Sequence, residues 1–230
     1  TQANTVGSFT ATNSGSGAIA LTNTAAPLTL TGISQGGGGS VTVGNTGALS
    51  TTGPISTAGN GSITLTASGT ETIGAAVTAG GAGTVALTTT GPADLLVQAA
   101  VTSGAGGLTA SAGNALTESG AGKFGTPGLL STSSAAGQSL TGANTVGSFS
   151  ATNSGSGAIT LTNTANPLTL TGITQTPGAE VTVSNTGSLL TSGAIATGSG
   201  GDISLTATGG LLTIGTPVTA GGAGAVGLTT

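Results

Sequence analysis

The sequence predicts an all-β fold, a parallel β-solenoid of about ten coils, with about 22 residues and three short strands in each coil. Three observations predict it: a long repeat, a shorter period inside that repeat, and short segments in which apolar and small polar residues alternate. Units that resemble each other over their whole length are typical of proteins that build their structure by stacking. A catalytic domain, by contrast, concentrates its distinctive residues in one place.

The long repeat shows most clearly in residues 3–33, which return almost unchanged at residues 143–173. Within this stretch the differing pairs are Thr10/Ser150, Ala20/Thr160 and Ala26/Asn166. We therefore divide the chain into a first six-coil copy, residues 1–142, and a second, incomplete copy, residues 143–230. We expect the two to form one continuous solenoid that is a fragment of a longer chain, because solenoids need polar caps at their ends.

The shorter period appears in segments that read apolar-x-apolar and are followed by Thr, Ser or Gly. Their first residues form the predicted core ladder: Ile19, Val41, Ile63, Val85, Leu108, Leu130, Ile159, Val181, Ile203 and Val226. Successive members are about 22 residues apart, except at the step from Leu130 to Ile159. The sequence thus predicts one column of stacked core residues, with a single lengthened coil of about 29 residues at that step.

Each coil is predicted to contain extended segments and tight corners. The segments IALT, VTVG, ITLT and ISLT alternate with period two, which indicates strands, and no stretch has helical spacing of its apolar residues. Glycine and asparagine clusters such as 44–47 and 79–83 supply corners where the backbone can adopt positive φ. In-register stacking would place equivalent strands about 4.8 Å apart. The predicted outward positions of one face are Ala20, Thr42, Thr64, Ala86, Thr160, Thr182 and Ser204.

Composition limits the function. Charged residues make up 3% of the chain, aromatic residues 1%, and the net charge is -4 with a single basic residue. Nucleic-acid binding is therefore not expected, because phosphates need basic side chains and bases need aromatic platforms. No apolar run approaches the roughly 20 residues of a membrane-spanning helix. Disorder is disfavoured because the apolar residues recur on a fixed period.

The reactive groups are few: the carboxyl groups are Glu71, Asp94, Glu118, Glu180 and Asp202, the only cation is Lys123, and there is no His, Cys, Tyr, Trp or Arg. Glu71 and Asp94 are separated by about one period, as are Glu180 and Asp202, so each pair should lie on adjacent coils. Such pairs occur in glycosidases and cation sites. Without a basic partner, however, the sequence favours isolated, solvated carboxylates, and we expect no enzyme activity, no cofactor and no metal site.

Asparagine and phenylalanine recur at equivalent positions of the two copies. Asn23 and Asn45 lie one coil apart, so they could form a two-rung amide ladder, or could simply tolerate turn conformations. Phe9 and Phe149 fall in the predicted lengthened coil, where we expect them to fill a widened cross-section. Phe124 lies beside Lys123 in the least repetitive stretch, where any local protrusion is expected.

Residues 60–91, GNGSITLTASGTETIGAAVTAGGAGTVALTTTG, and residues 200–230 resemble the repeat regions of filamentous haemagglutinin-like exoproteins and related giant bacterial adhesins. The resemblance covers nearly all of the chain and is weakest over residues 109–142. It implies a right-handed parallel β-helix that is exported by two-partner secretion and acts outside the cell or at its surface. The Asn-Pro-Asn-Gly-type signature of the family's secretion domain does not occur in this sequence.

Two function classes follow from the sequence. The first is structural: a rigid rod in an extracellular fibre, sheath or adhesin stalk, self-associating into filaments or bundles because few charges keep neighbouring rods apart. The second is a surface-binding module that attaches to a glycan, a cell surface or ice through a flat face of Thr, Ala and Ser. Continuous filaments in micrographs would favour the first class, whereas glycan retention or thermal hysteresis by dispersed monomers would favour the second.

Overall fold

The structure, a computed structural model, describes residues 3–176 and 178–230 and confirms the predicted fold class. These residues form a parallel β-solenoid of about ten turns, with about 22 residues per turn and no helix. All 25 strands belong to one sheet that winds around the axis. The strands of residues 3–134 are β1 (Ser8–Asn13), β2 (Ile19–Thr24), β3 (Leu28–Gln35), β4 (Val41–Thr46), β5 (Leu49–Thr51), β6 (Ile55–Thr57), β7 (Ile63–Ala67), β8 (Glu71–Ile73), β9 (Val77–Ala79), β10 (Val85–Thr89), β11 (Leu95–Val97), β12 (Ala100–Ser103), β13 (Leu108–Ser111), β14 (Leu116–Glu118) and β15 (Lys123–Ser134). Those that follow are β16 (Gln138–Asn153), β17 (Ile159–Thr164), β18 (Leu168–Gln175), β19 (Val181–Thr186), β20 (Leu189–Thr191), β21 (Ile195–Ser199), β22 (Ile203–Thr208), β23 (Leu212–Ile214), β24 (Val218–Gly221) and β25 (Val226–Thr229).

A typical turn consists of one longer strand and two short ones, as in β4, β5 and β6. Each strand pairs in parallel with its equivalent one turn away, so β4 lies between β2 and β7, and β5 lies between β3 and β8. Four strands, β3, β15, β16 and β18, continue around a corner and pair with different strands on each side of it. At about 4.8 Å per turn, the rod is about 50 Å long.

The core consists mainly of aliphatic side chains stacked in columns along the axis, with a few phenylalanine and polar rungs. One column runs through ten turns, and its rungs are Leu28, Leu49, Glu71, Leu95, Leu116, Gln138, Ile159, Val181, Ile203 and Val226. Burial alternates along each strand, as in β2 and β7, because successive side chains point to opposite faces. Each fully buried Leu, Ile or Val contributes about 1.5–3 kcal/mol, so the columns dominate the stability of the rod.

The predicted single ladder is wrong at the boundary between the two copies. Leu130 pairs with Phe149 of the next turn, whereas Ile159 pairs with Gln138 of the preceding turn. The six ladder residues from Ile19 to Leu130 therefore lie in one column. The four ladder residues from Ile159 to Val226 lie in another column, on a different face of the rod. Neither Phe149 nor Phe9 fills a lengthened coil, since no such coil forms. Strands that hydrogen-bond in register fix the circumference, so a single coil cannot widen without losing its partners.

The long repeat is consequently out of step with the turn. Six turns carry the column from Leu28 to Ile159, whereas the long repeat carries Leu28 to Leu168, nine positions further along the chain. The second copy is therefore rotated by about 0.4 of a turn relative to the first. Equivalent residues of the two copies face different directions around the axis.

The corners depend on glycine where the backbone of one turn approaches the next. Gly47 has φ of 124° and its counterpart Gly187 has φ of 115°, which is a region that other residues rarely adopt. A Cβ atom on Gly47 would also collide with the carbonyl oxygen of Ala25 in the preceding turn. Only glycine combines this conformation with such close stacking.

Candidate functional site

The ten predicted ladder residues all lie on strands. Nine of them are buried, and Val226 on β25 is 42% exposed. The structure brings Ile19, Val41, Ile63, Val85, Leu108 and Leu130 together in one column, and Ile159, Val181, Ile203 and Val226 in the other. Both columns pack into a single core cluster, from which Val226 is absent.

The prediction of solvated carboxylates is wrong for two of the five. Glu180 and Asp202 are exposed and Asp94 is half-buried, but Glu71 and Glu118 point into the rod. Glu180 and Asp202 stack on adjacent turns, as their spacing predicts, since Val181 pairs with Ile203. Glu71 and Asp94 also lie on adjacent turns, but their side chains do not share a site: the first is enclosed, and the second accepts hydrogen bonds from Asn114 and Ala115.

Glu71 is a rung of the ten-turn column, with Leu49 on one side and Leu95 on the other. Its exposed fraction is 0%, and neither carboxyl oxygen has a hydrogen-bond partner. Desolvation raises the pKa of Glu71 well above its ordinary value, and a weaker opposing influence from the backbone of Thr88 does not offset it. Burial therefore favours the neutral form of this carboxyl group, which has no access to a substrate.

Glu118 lies at the end of β14, close to the boundary between the copies, and is 6% exposed. Its Oε2 atom accepts hydrogen bonds from the Gly142 backbone N–H at 2.7 Å and from the Asn144 side-chain amide at 3.0 Å. Its Oε1 atom is buried without a partner. Desolvation raises the pKa of Glu118 to about 6, and the hydrogen bonds from Asn144 and Gly142 limit that rise.

Two amide ladders run inside the solenoid. Of the two alternatives for Asn23 and Asn45, the structure shows the amide contact: the Asn23 Nδ2 donates to the Asn45 Oδ1 at 2.9 Å. The second copy repeats it, with Asn163 donating to Asn185 at 3.0 Å. All four side chains are buried, and each also hydrogen-bonds to the backbone of a neighbouring turn or corner. The ladders therefore fix the corner that follows β2, β4, β17 and β19.

Replacing Asn45 with alanine is expected to destabilise the chain by about 1–3 kcal/mol, because the Asn23 amide and the backbone of Ala25 lose buried partners. Alanine itself fits this column, since Ala67 occupies the next rung. Urea denaturation and amide exchange at Ala25 measure the effect. The exposed neighbour Thr46 provides the control, and an Asn45→Ala variant as stable as Thr46→Ala would contradict a stabilising ladder.

A grid of hydroxyl groups covers the outer face of β17, β19 and β22. Its nine positions are Thr160, Thr162, Thr164, Thr182, Ser184, Thr186, Ser204, Thr206 and Thr208. All are half-buried or exposed, and they are spaced about 4.8 Å between turns and about 7 Å along each strand. In the first copy, Ala20 and Gly44 interrupt the equivalent grid on β2, β4 and β7, which faces a different direction.

Sequence reasoning missed the interior carboxyls although one signal was available. Leu49, Glu71 and Leu95 follow one another at close to the period of the turn, so the period alone places Glu71 in a core column. The same period places Glu118 in a core column after Ile73 and Val97. The contact between Glu118 and Asn144 had no such signal, because the two side chains come together only where the two copies change register.

Among residues 3–176 and 178–230, no three His, Cys, Asp or Glu residues cluster as a metal site. None of the described segments is a helix long and apolar enough to cross a membrane. The Glu118 carboxyl and the hydroxyl grid are thus the features of this rod with chemical character beyond packing. No protein-family model, curated protein or solved structure matches the chain.

Proposed function

We propose that this chain is a structural building block, a rigid β-solenoid rod in an extracellular fibre, sheath or adhesin stalk. The observation that carries the proposal is the column from Leu28 to Val226, which crosses the boundary between the copies without a break in pairing. An unbroken hydrogen-bonded ladder resists bending and proteolysis along its whole length. The resemblance of residues 60–91 and 200–230 to giant bacterial adhesin repeats supports a role at the cell surface.

Self-association follows from the surface of the rod. With charged residues at 3% of the chain, neighbouring rods repel each other weakly. The proposal includes both end-to-end and lateral contacts, and no catalytic step.

Electron microscopy of the purified chain across a concentration series tests this role. We expect rods that join into filaments or bundles, and slow cleavage by a broad-specificity protease. Thr182→Lys with Thr206→Lys places two charges on the outer face of β19 and β22, and this double variant should reduce lateral bundling while leaving the circular dichroism unchanged. Dispersed, protease-sensitive monomers at every concentration would contradict the structural role.

A second candidate function, binding to a glycan or to ice, is favoured by the hydroxyl grid of β17, β19 and β22. A regular array of uncharged hydroxyls suits a partner that presents its own repeating hydroxyls or water molecules. Dispersed wild-type monomers should then show thermal hysteresis or retention on a polysaccharide, and the same double variant should lose it. Thr42→Lys with Thr64→Lys, on the interrupted face, is the matched control. Equal loss in both double variants would argue against this grid as the binding face.

A further inference from the structure

The exposed charges of the described residues lie on two different edges of the rod. Of the six charged side chains in the chain, two point into the core and one is half-buried. The other three are exposed: Lys123, Glu180 and Asp202. A neighbouring molecule therefore meets one exposed cation and two exposed carboxylates on a surface that is otherwise uncharged or nearly so.

The two exposed carboxylates form an acidic edge. Glu180 and Asp202 directly precede Val181 and Ile203, which pair on adjacent turns, so their backbones lie about 4.8 Å apart along the axis. The Asp202 Oδ1 accepts a hydrogen bond from the Ala225 backbone N–H at 2.7 Å, which fixes its orientation. The two residues before each carboxylate are glycine or alanine. The acidic edge is therefore narrow, because small residues flank its charges.

Lys123 lies on another edge, at a recess that we call the Lys123 recess. Its volume is about 370 Å³, and every lining residue except Lys123 is alanine or glycine, from 99–100, 120–122 and 142–143. Glu118, the acid nearest to Lys123 along the chain, points into the rod and is bound there by Asn144. An apolar recess with one cation suits a narrow segment of small residues that carries a carboxylate.

The Lys123 recess and the acidic edge are related by a rotation and a shift. Lys123 follows the Leu116 rung by about a third of a turn, whereas the two carboxylates precede rungs of later turns. Their midpoint lies about three turns, or about 15 Å, further along the axis. The two patches therefore cannot meet within one chain. A parallel neighbour shifted by about three turns brings its acidic edge level with the recess.

Symmetric pairing of two aligned rods does not join these patches. A twofold axis along the rods keeps the recess and the acidic edge at different heights, and a twofold axis across the rods places like edges together. The contact must therefore use different patches on the two partners. Such a contact leaves each rod with one free acidic edge and one free recess, so lateral growth continues instead of closing in a dimer.

We propose that the acidic edge of one chain docks at the Lys123 recess of a parallel second copy, with a stagger of about three turns. This inference rests on the proposed self-association and names the contact that it uses. Glu180 and Asp202 are the carboxylates that face Lys123. Exposed ion pairs add little affinity, so the charges mainly select the partner edge and the stagger.

Zero-length cross-linking with a carbodiimide tests this contact in assemblies of the full chain. The reagent condenses an amine with a carboxyl group and takes up the released water, and Lys123 is the only lysine of the chain. In mixed ¹⁴N- and ¹⁵N-labelled chains, mass spectrometry should find mixed-label peptides that join Lys123 to Glu180 or Asp202. Bundles without these links, or with links from Lys123 to Asp94 instead, would overturn the proposed contact while leaving the structural role in place. Chains that never associate would contradict both.

Charge reversal provides a second test. Lys123→Glu alone, and Glu180→Lys with Asp202→Lys in one chain, each bring like charges together. Each should raise the concentration needed for lateral assembly at low salt by about twofold to fivefold. An equimolar mixture of the two variant chains restores opposite charges at both patches and should assemble as the wild type does. The altered side chains are exposed, so circular dichroism should be unchanged. Folded variants whose mixture does not recover would rule out the contact.

Discussion

Replacing Glu71 with leucine is expected to stabilise the chain by about 1–4 kcal/mol near neutral pH. A well-packed apolar residue often contributes more to folding stability than a buried ionisable group at the same position. The carboxyl lies between Leu49 and Leu95 with 0% exposure and no hydrogen-bond partner. The second copy already carries the proposed residue, since Leu212 pairs with Leu189 at the corresponding rung. Urea denaturation of the two proteins at pH 7 measures the difference.

The stabilisation of the chain by Glu71→Leu should increase as pH rises. The folded-state pKa of Glu71 is raised above its ordinary value of 4.5, so its favourable contribution is complete below about pH 4.5 and is lost as pH rises toward the folded-state pKa. Glu118 contributes in the same direction, but its part is lost between 4.5 and about 6. As pH rises above 4.5, wild-type stability should therefore fall more than that of Glu71→Leu, in which the Glu71 contribution is absent.

The matched control for this prediction is Glu180→Leu, which alters an exposed carboxyl group. It should leave the stability at pH 7 within about 0.5 kcal/mol of the wild type, as surface substitutions usually do. A Glu71→Leu variant that is less stable than wild type at pH 7 would show that the carboxyl has a partner in solution.

The second large effect is expected at Phe149. This side chain is 0% exposed and sits between Leu130 and Leu170, at the position where the two copies change register. Truncation to alanine should cost about 3–5 kcal/mol, because it removes buried area and leaves a cavity that a rigid ladder cannot close. The denaturation midpoint and hydrogen exchange in β15, β16 and β18 measure the loss.

Phe9 provides a matched control, because the long repeat makes it the counterpart of Phe149. It pairs with Leu30 as Phe149 pairs with Leu170, but it is only partly buried. Phe9→Ala should therefore cost clearly less than Phe149→Ala. Equal costs would mean that the boundary between the copies is no better packed than the first turn.

Much of the fold could be predicted from the sequence because it depends on local signals. Period-two alternation predicts the strands, the short period predicts the turn, and the contact between Asn23 and Asn45 follows from the same spacing. These features need no knowledge of distant residues. The candidate site was harder to predict. The period already places Glu71 between Leu49 and Leu95, but the contact between Glu118 and Asn144 depends on the register at the boundary between the copies.

The register at the boundary could not be predicted because sequence similarity and spatial stacking follow different rules. Leu130 and Ile159 occupy matching places in the apolar pattern, which favours a single column through both. The structure instead preserves the circumference, so Leu130 stacks under Phe149 and Gln138 stacks under Ile159. Hydrogen bonding between turns outweighs the match of side chains, because every backbone group in the ladder requires a partner.

The offset between repeat and turn has a geometric consequence for any assembly that adds copies at the same step. Each copy advances about 0.4 of a turn in azimuth, so five copies complete about two full revolutions. A patch such as the hydroxyl array of β17, β19 and β22 would then trace a spiral along the filament and offer contacts in every radial direction.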